Sequence, residues 1–321
     1  MDVRARGMDV RARVSAGRIM LSPEAGQAMG AGGDLKAGPG VGPRIGAGAG
    51  PENRAVALVQ EDGTTCGATC VLAARLLYER EGAAAARLGA LTGSVGGLQA
   101  ALRVEQLRLQ ALMNRNAGGP LGPLAWPRHL GSTPWAVAGL MTCAVPREAR
   151  ASAVYTVTWV RDGGPNWATV VERLRAHLAD DAPVLLVVGG PLVGGGEDGA
   201  RVVGGGAVGA RVVGGGAVGA RVVGGGAVGA RVVGGGAVGA RVVGTLRRAA
   251  RLLPSLPRHY VLALPWTLLG RADPGLGRVH VYDPASGAVG VVDLLAARDP
   301  QRLGPREFGN WPQVLAIIEP S

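Results

Sequence analysis

The decapeptide Gly-Ala-Arg-Val-Val-Gly-Gly-Gly-Ala-Val occurs four times in succession from Gly199 to Val238, and a fifth, partial copy starts at Gly239. No other feature limits the fold as much. Each unit lacks a bulky side chain, and its run of three glycines loses more conformational freedom on ordering than any other residue type would. Internal repeats normally signal a solenoid, in which stacked units bury a continuous core; here stacking would bury almost nothing. The even period keeps Arg201, Arg211, Arg221, Arg231 and Arg241 on one face of an extended chain, which leaves a β-arrangement or an interaction surface open. The favoured reading is a mobile insertion produced by tandem duplication, spanning 189–251. Any core must then come from the sequence on either side.

Composition supports that division. Ala, Val and Gly inflate the 47% hydrophobic content, while aromatic residues make up only 3%. The core is therefore expected from Leu, Val and the six Trp, with Phe308 as the single Phe. The net charge of +11 is almost all arginine, because Lys36 is the only lysine. Those arginines are scattered, with no long basic run and no interleaved aromatics, so no nucleic-acid partner is expected. Cys66, Cys70 and Cys143 are too few for a disulfide framework and suit a reducing compartment or a free catalytic thiol. Residues 1–18 lack the apolar core of a secretory signal, and no apolar stretch of about 18 residues occurs, so a cytoplasmic protein without a membrane span is expected.

Met1 to Gly7 is repeated almost intact from Met8 to Val14, and the chain to residue 54 is rich in Gly, Ala and Pro. This segment reads as a disordered extension, with Met8 and Met20 as other possible initiators. From residue 55 the pattern is globular. Cys66 to Arg80 is apolar and helical, with Thr65 placed to cap it and Gly82 beyond its end. Leu98, Ala101, Leu102, Leu109, Leu112 and Met113 share a helical face, and Ser132-Thr133-Pro134 opens a short helix running to about Cys143. Asn166 is expected to cap another helix, whose Trp167, Val170, Val171, Leu174 and Leu178 face one way. Strands are expected at 155–159, 183–188, 260–264, 278–282, 288–292 and 314–318. The class is α+β, with a helical lobe first and an antiparallel sheet lobe second, over residues 55–321 apart from the repeat tract.

Chemistry concentrates where the first helix begins. In Gln60-Glu61-Asp62-Gly63-Thr64-Thr65-Cys66-Gly67 a thiol stands at a helix start, where unpaired N–H groups and the macrodipole favour a thiolate. An amide one loop upstream can donate to an oxyanion beside it. Far downstream, His259 opens the strand His259-Tyr260-Val261-Leu262, and Asp283 closes the next one in Tyr282-Asp283-Pro284-Ala285-Ser286-Gly287. His280 alternates with Val279 and Val281, so it faces away from Asp283. His177 and His129 read as surface or capping groups. Cys70 reads as core, and Cys66 with Cys70 lacks the further ligands of a zinc site. No phosphate-binding fingerprint follows the glycine-rich stretches.

These residues resemble the papain-like cysteine peptidases, most closely the bacterial double-glycine (bacteriocin-leader) branch, in the Gln…Cys-Gly opening, the His-led apolar strand and the Asp-Pro-x-x-Gly turn. The resemblance implies a papain-like two-lobed fold and a hydrolase acting on a peptide or protein substrate without metal or organic cofactor. It makes Cys66 the nucleophile, Gln60 the oxyanion donor, His259 the base and Asp283 its orienter. Cys66 and His259 lie 193 positions apart; without the tract the spacing is roughly 130, within the roughly 130–150 of papain-type enzymes. A non-catalytic peptide-binding module on the same fold and a transglutaminase- or deamidase-type acyl transferase stay open. If the repeats are an insertion, deleting 199–238 should leave the thermal melting temperature nearly unchanged, since each doubling of a flexible loop costs only about 0.6 kcal/mol. A drop of several degrees would mean that they pack on the domain.

Overall fold

A computed structural model describes residues 9–15, 17–24, 55–78, 83–144, 154–190, 210–214, 220–224 and 256–321. Alternating apolar residues draw the chain into one antiparallel nine-stranded sheet. Its strands are β1 (Asp9–Ser15), β2 (Arg18–Glu24), β3 (Val56–Ala57), β4 (Tyr155–Trp159), β5 (Val184–Gly190), β8 (Leu256–Leu264), β9 (Arg278–Asp283), β10 (Ala288–Asp293) and β11 (Gln313–Pro320). They lie in the order β1-β2-β10-β9-β8-β5-β11-β4, with β3 beside β2. The six strands expected from the sequence are all present. β5 is buried along its whole length, which is why it reads as an unbroken apolar run: it is covered on both faces.

Helices α1 (Cys66–Tyr78), α2 (Ala83–Val95), α3 (Leu98–Asn114) and α4 (Pro134–Thr142) lie on one face. There Leu185, Val187, Tyr260, Leu262, Tyr282, Ala316 and Ile318 meet Cys70, Leu72, Leu102, Leu109 and Val137. The opposite face sends Leu186, Val188, Val261, Val281 and Ile317 against Trp167, Val171, Leu174 and Leu178 of α5 (Trp167–Ala179), with Phe308 beside them. The α+β class is therefore observed, with helices sandwiching the sheet from both sides. Of the six Trp expected in the core, only Trp167 is buried; Leu, Val and Ala fill most of the interior. Thr133 caps α4 as expected, accepting from Ala136 N–H, with Pro134 at the first position. Asn166 stands at the start of α5 but makes no side-chain cap bond.

Two expectations change. The stretch 9–24 is not a disordered extension: β1 and β2 form a hairpin from Asp9↔Glu24 to Ser15↔Arg18, and β2 continues the sheet beside β10. Ile19 and Leu21 are fully buried in the main core. The reason is period-two alternation, Val10-Arg11-Ala12-Arg13-Val14, which presents one apolar edge among arginines. The remainder of 1–54, and Gly82, lie outside the described residues. Within the repeat tract, β6 (Ala210–Gly214) and β7 (Ala220–Gly224) pair antiparallel, Val212 opposite Val222, in a separate two-stranded sheet. The β-arrangement thus holds for these segments of consecutive units; the rest of 191–255 lies outside the described residues. Because Leu21 is buried in the main core, Leu21→Ala should lower the free energy of unfolding by about 2–5 kcal/mol, measured by chemical denaturation. An unchanged midpoint would mean that the hairpin is dispensable.

Candidate active site

The first turn of α1 is pressed onto β8. A Cβ at Gly67 would meet Val137 Cγ2 at 3.1 Å and Tyr260 Cδ2 at 3.4 Å, so glycine lets the helix start close against the strand. One turn on, Cys70 Sγ donates to Tyr260 O at 3.5 Å. Burial pushes the Cys70 thiol well above its ordinary range, and neighbouring Cys66 and Asp283 add to that, which suits a neutral core residue. The Thr65 carbonyl accepts from Thr69 N–H, as a residue at the helix start should. Its hydroxyl turns back, however, accepting from Asp62 N–H and donating to Asp62 O. Thr65 therefore occupies the cap position without the expected side-chain bond to the helix.

β8 carries His259 opposite Val188, and the register slips between Val188 and Gly189, leaving Arg258 unpaired as a bulge. A bulge bends its strand and re-aims the neighbouring side chain. His259 Nε2 lies 2.8 Å from Asp283 Oδ1 across to the end of β9. The Cys66 thiol is within hydrogen-bonding reach of the same ring; with Nε2 on the carboxylate, Nδ1 is the nitrogen left for the sulfur. Cys66, His259 and Asp283 are 4%, 5% and 3% exposed, so the cluster is shielded from bulk water. Burial opposes a charge on His259, but the hydrogen bonds to Asp283 and Cys66, with their charges, raise its pKa to about 9. Burial likewise opposes ionisation of Asp283, yet bonds from His259, Ser286 and Ala285 hold its carboxyl below the usual range.

Asp283 serves its turn as well as the histidine. Oδ1 also accepts from Ala285 N–H at 3.0 Å, and Oδ2 accepts from the Ser286 hydroxyl at 2.7 Å. Gly287, at φ +70°, ends that turn, and a Cβ there would stand 2.9 Å from both Leu58 O and Val59 Cγ2. The segment before α1 can lie against the turn only because this position is glycine. Gln60 N–H donates to Pro284 O at 2.8 Å, and Tyr282 OH donates to Leu58 O at 2.8 Å. Gln60 therefore sits beside the Asp283 turn, with its side-chain oxygen buried and unpartnered. Its side chain makes no hydrogen bond to Cys66 or His259 among the described residues. The structure brings Cys66, His259 and Asp283 together and sets Gln60 at their border.

His280 lies on the other face of β9 from Asp283, paired with Leu264 in register. Burial, and then Arg271, hold its pKa down. His177, on α5, lies 3.7 Å from Glu319 of β11, and His129 is exposed on a short turn at 128–130. Among the described residues no cluster of potential ligands could hold a metal ion, and no helix is long and apolar enough to cross a membrane.

Two residues that the sequence reading passed over hold the Gln60–Cys66 segment in place. Gln106, on α3, bonds to Val59 O and Glu61 N–H; Gln110, one turn on, donates to Thr64 O at 2.9 Å and Thr64 Oγ1 at 2.7 Å. The available signal was a pair of amides four apart on the helical face that also carries Leu102, Leu109 and Met113. Compared with known proteins, the chain matches no family model, no curated protein and no solved structure.

The arrangement predicts the titration of His259. Its ring should lose its proton near pH 9 rather than near the ordinary value of about 6.5, as followed by the imidazole resonances in NMR. Asp283→Asn removes the negative acceptor and should move that midpoint down. A midpoint near the ordinary value in the unaltered protein would contradict the pairing.

Proposed function

We propose that the protein is a cysteine hydrolase of papain-like type that cleaves peptide bonds, with the helical layer over Cys66 and the sheet that carries His259 acting as its two lobes. The observation that carries this reading is the buried contact of a helix-start thiol with a histidine whose far nitrogen is held by a carboxylate. A nucleophile, a base and a group orienting that base are what acyl transfer through a thioester requires.

In this reading His259, protonated below about pH 9, stabilises a thiolate at Cys66, which attacks the substrate carbonyl. The carbonyl π electrons move onto oxygen, and the resulting oxyanion accepts hydrogen bonds from Cys66 N–H and the Gln60 side-chain amide. Rotation of that amide end for end turns its NH2 into the space where its unpartnered oxygen now lies. Collapse of the tetrahedral species expels the amine, which takes the proton from His259 and leaves a thioester. His259, now neutral, accepts a proton from water as that water attacks the thioester, and the thiolate departs. Asp283 keeps the ring in one tautomer throughout. An enzyme acting on side-chain amides would use the same groups and release ammonia in place of a new amino terminus.

Iodoacetamide at pH 6, followed by peptide mapping, tests the reading. Cys66 should alkylate on the order of 10²-fold faster than Cys70 or Cys143, because an ordinary thiol of pKa about 8.5 is only about 0.3% ionised there. His259→Ala should remove the difference. Equal rates at the three positions would leave a peptide-binding module, not an enzyme.

A further inference from the structure

Gln106 is 1% exposed, on the same helical face as Leu102, Leu109 and Met113. A primary amide buried there is costly unless its polar atoms find partners. Oε1 accepts from Glu61 N–H at 2.8 Å and from the Thr69 hydroxyl at 3.0 Å, and Nε2 donates to Val59 O at 2.9 Å. The two backbone groups belong to the residues just before and just after Gln60. In an extended segment those groups point to one side and the N–H of the residue between them points to the other. Gln60 N–H does so, donating to Pro284 O at 2.8 Å. Gln60 is thus held along both edges of its backbone, as a residue inside a sheet is, although one edge is a single side chain. This leaves its own side chain little freedom of direction. Through Thr69, the same oxygen of Gln106 also ties this segment to α1, one helical turn beyond Cys66.

We infer that Gln106 is a positioning residue, setting the Gln60 amide relative to Cys66 so that both can donate to one oxyanion. The inference rests on the hydrolase reading of Gln60. It assigns to α3 a part in the chemistry although α3 supplies no reacting group.

The test uses the full chain and two probes: acylation by 4-nitrophenyl acetate, which builds an oxyanion, and alkylation by iodoacetamide at pH 6, which does not. Cys66→Ser supplies the blank. Gln60→Ala should slow acylation by on the order of 10²–10³-fold, the usual effect of losing one such donor. Gln106→Leu should slow it by on the order of 10²-fold, as a misplacement of about 1 Å can, while alkylation of Cys66 stays largely intact. In the double variant Gln106→Leu should add little to Gln60→Ala, since both act through one amide. Gln106→Glu gives a second readout that does not depend on Leu being tolerated. Its neutral acid can donate to Val59 O and accept from Glu61 N–H, whereas its carboxylate cannot donate. Acylation by this variant, relative to the unaltered protein at the same pH, should therefore recover as the pH falls. Additive losses in the double variant, a parallel loss of alkylation, or a pH-independent Gln106→Glu defect would each overturn the inference. If Gln60→Ala leaves acylation unchanged while Cys66 still labels, the oxyanion reading of Gln60 falls, and this inference falls with it. That result differs from one in which Gln60 matters and Gln106 does not.

Discussion

Tyr260 is the joint on which the candidate site depends. Its ring packs against Gly67, its carbonyl accepts from Cys70, and its hydroxyl donates to Ser132 O at 2.7 Å. Burial, with Cys66 and Cys70 nearby, pushes that phenol well above its ordinary range, so it stays a donor. One side chain thus fixes where α1 begins and where the segment before α4 runs. The preceding residue on the strand is His259. Adjacent residues of a strand point to opposite faces, and the bulge at Arg258 turns the sheet just there. The helix layer is therefore anchored one residue away from the imidazole that the Cys66 thiol must reach. A shift of α1 along β8 would break that contact before it disturbed much of the core.

Much of this was legible in the chain. Unbroken runs of Val, Leu, Ile and Ala marked β5, β8 and β11, because those strands are packed on both faces and little else competes with that signal. The Thr133-Pro134 start of α4 was legible for a similar reason, since a cap and a fixed φ act locally. The exclusion of His280 followed from strand periodicity, whereas the partnership of His259 with Asp283 was what the family resemblance implied. The N-terminal hairpin was hidden by its surroundings. Its apolar positions alternate with arginine, and the Gly- and Pro-rich sequence after it suggested disorder by composition. The Trp residues misled for a different reason: a large ring fits best where it can stay partly solvated, and Trp159 and Trp135 do so as a tilted pair 6.0 Å apart.

What the sequence could not display is the set of polar bonds that cross between elements. Gln106 and Gln110 look like interruptions of an apolar stripe. Only the fold shows that they face a loop whose backbone would otherwise lack partners. Thr65 likewise satisfies the pattern of a cap while its hydroxyl serves Asp62. Such side chains are chosen by what lies opposite them in space. Gln60 is the complementary case, a half-buried side chain whose oxygen is buried and unpaired, and groups of that kind tend to mark sites where function has outweighed stability.

The sheet order also has a consequence for how the protein comes into being. Cys66 and His259 are separated by 193 positions, and β8 reaches its neighbour β5 only after the whole repeat tract has been made. Contacts so distant along the chain are slow to form, and domains acquire structure as synthesis proceeds from the N-terminus. Throughout translation up to β8, α1 presents a cysteine with no imidazole beside it. In a nascent or truncated chain that ends before β8, Cys66 therefore stands without the His259–Asp283 pair, which comes together only once synthesis has passed the end of β9.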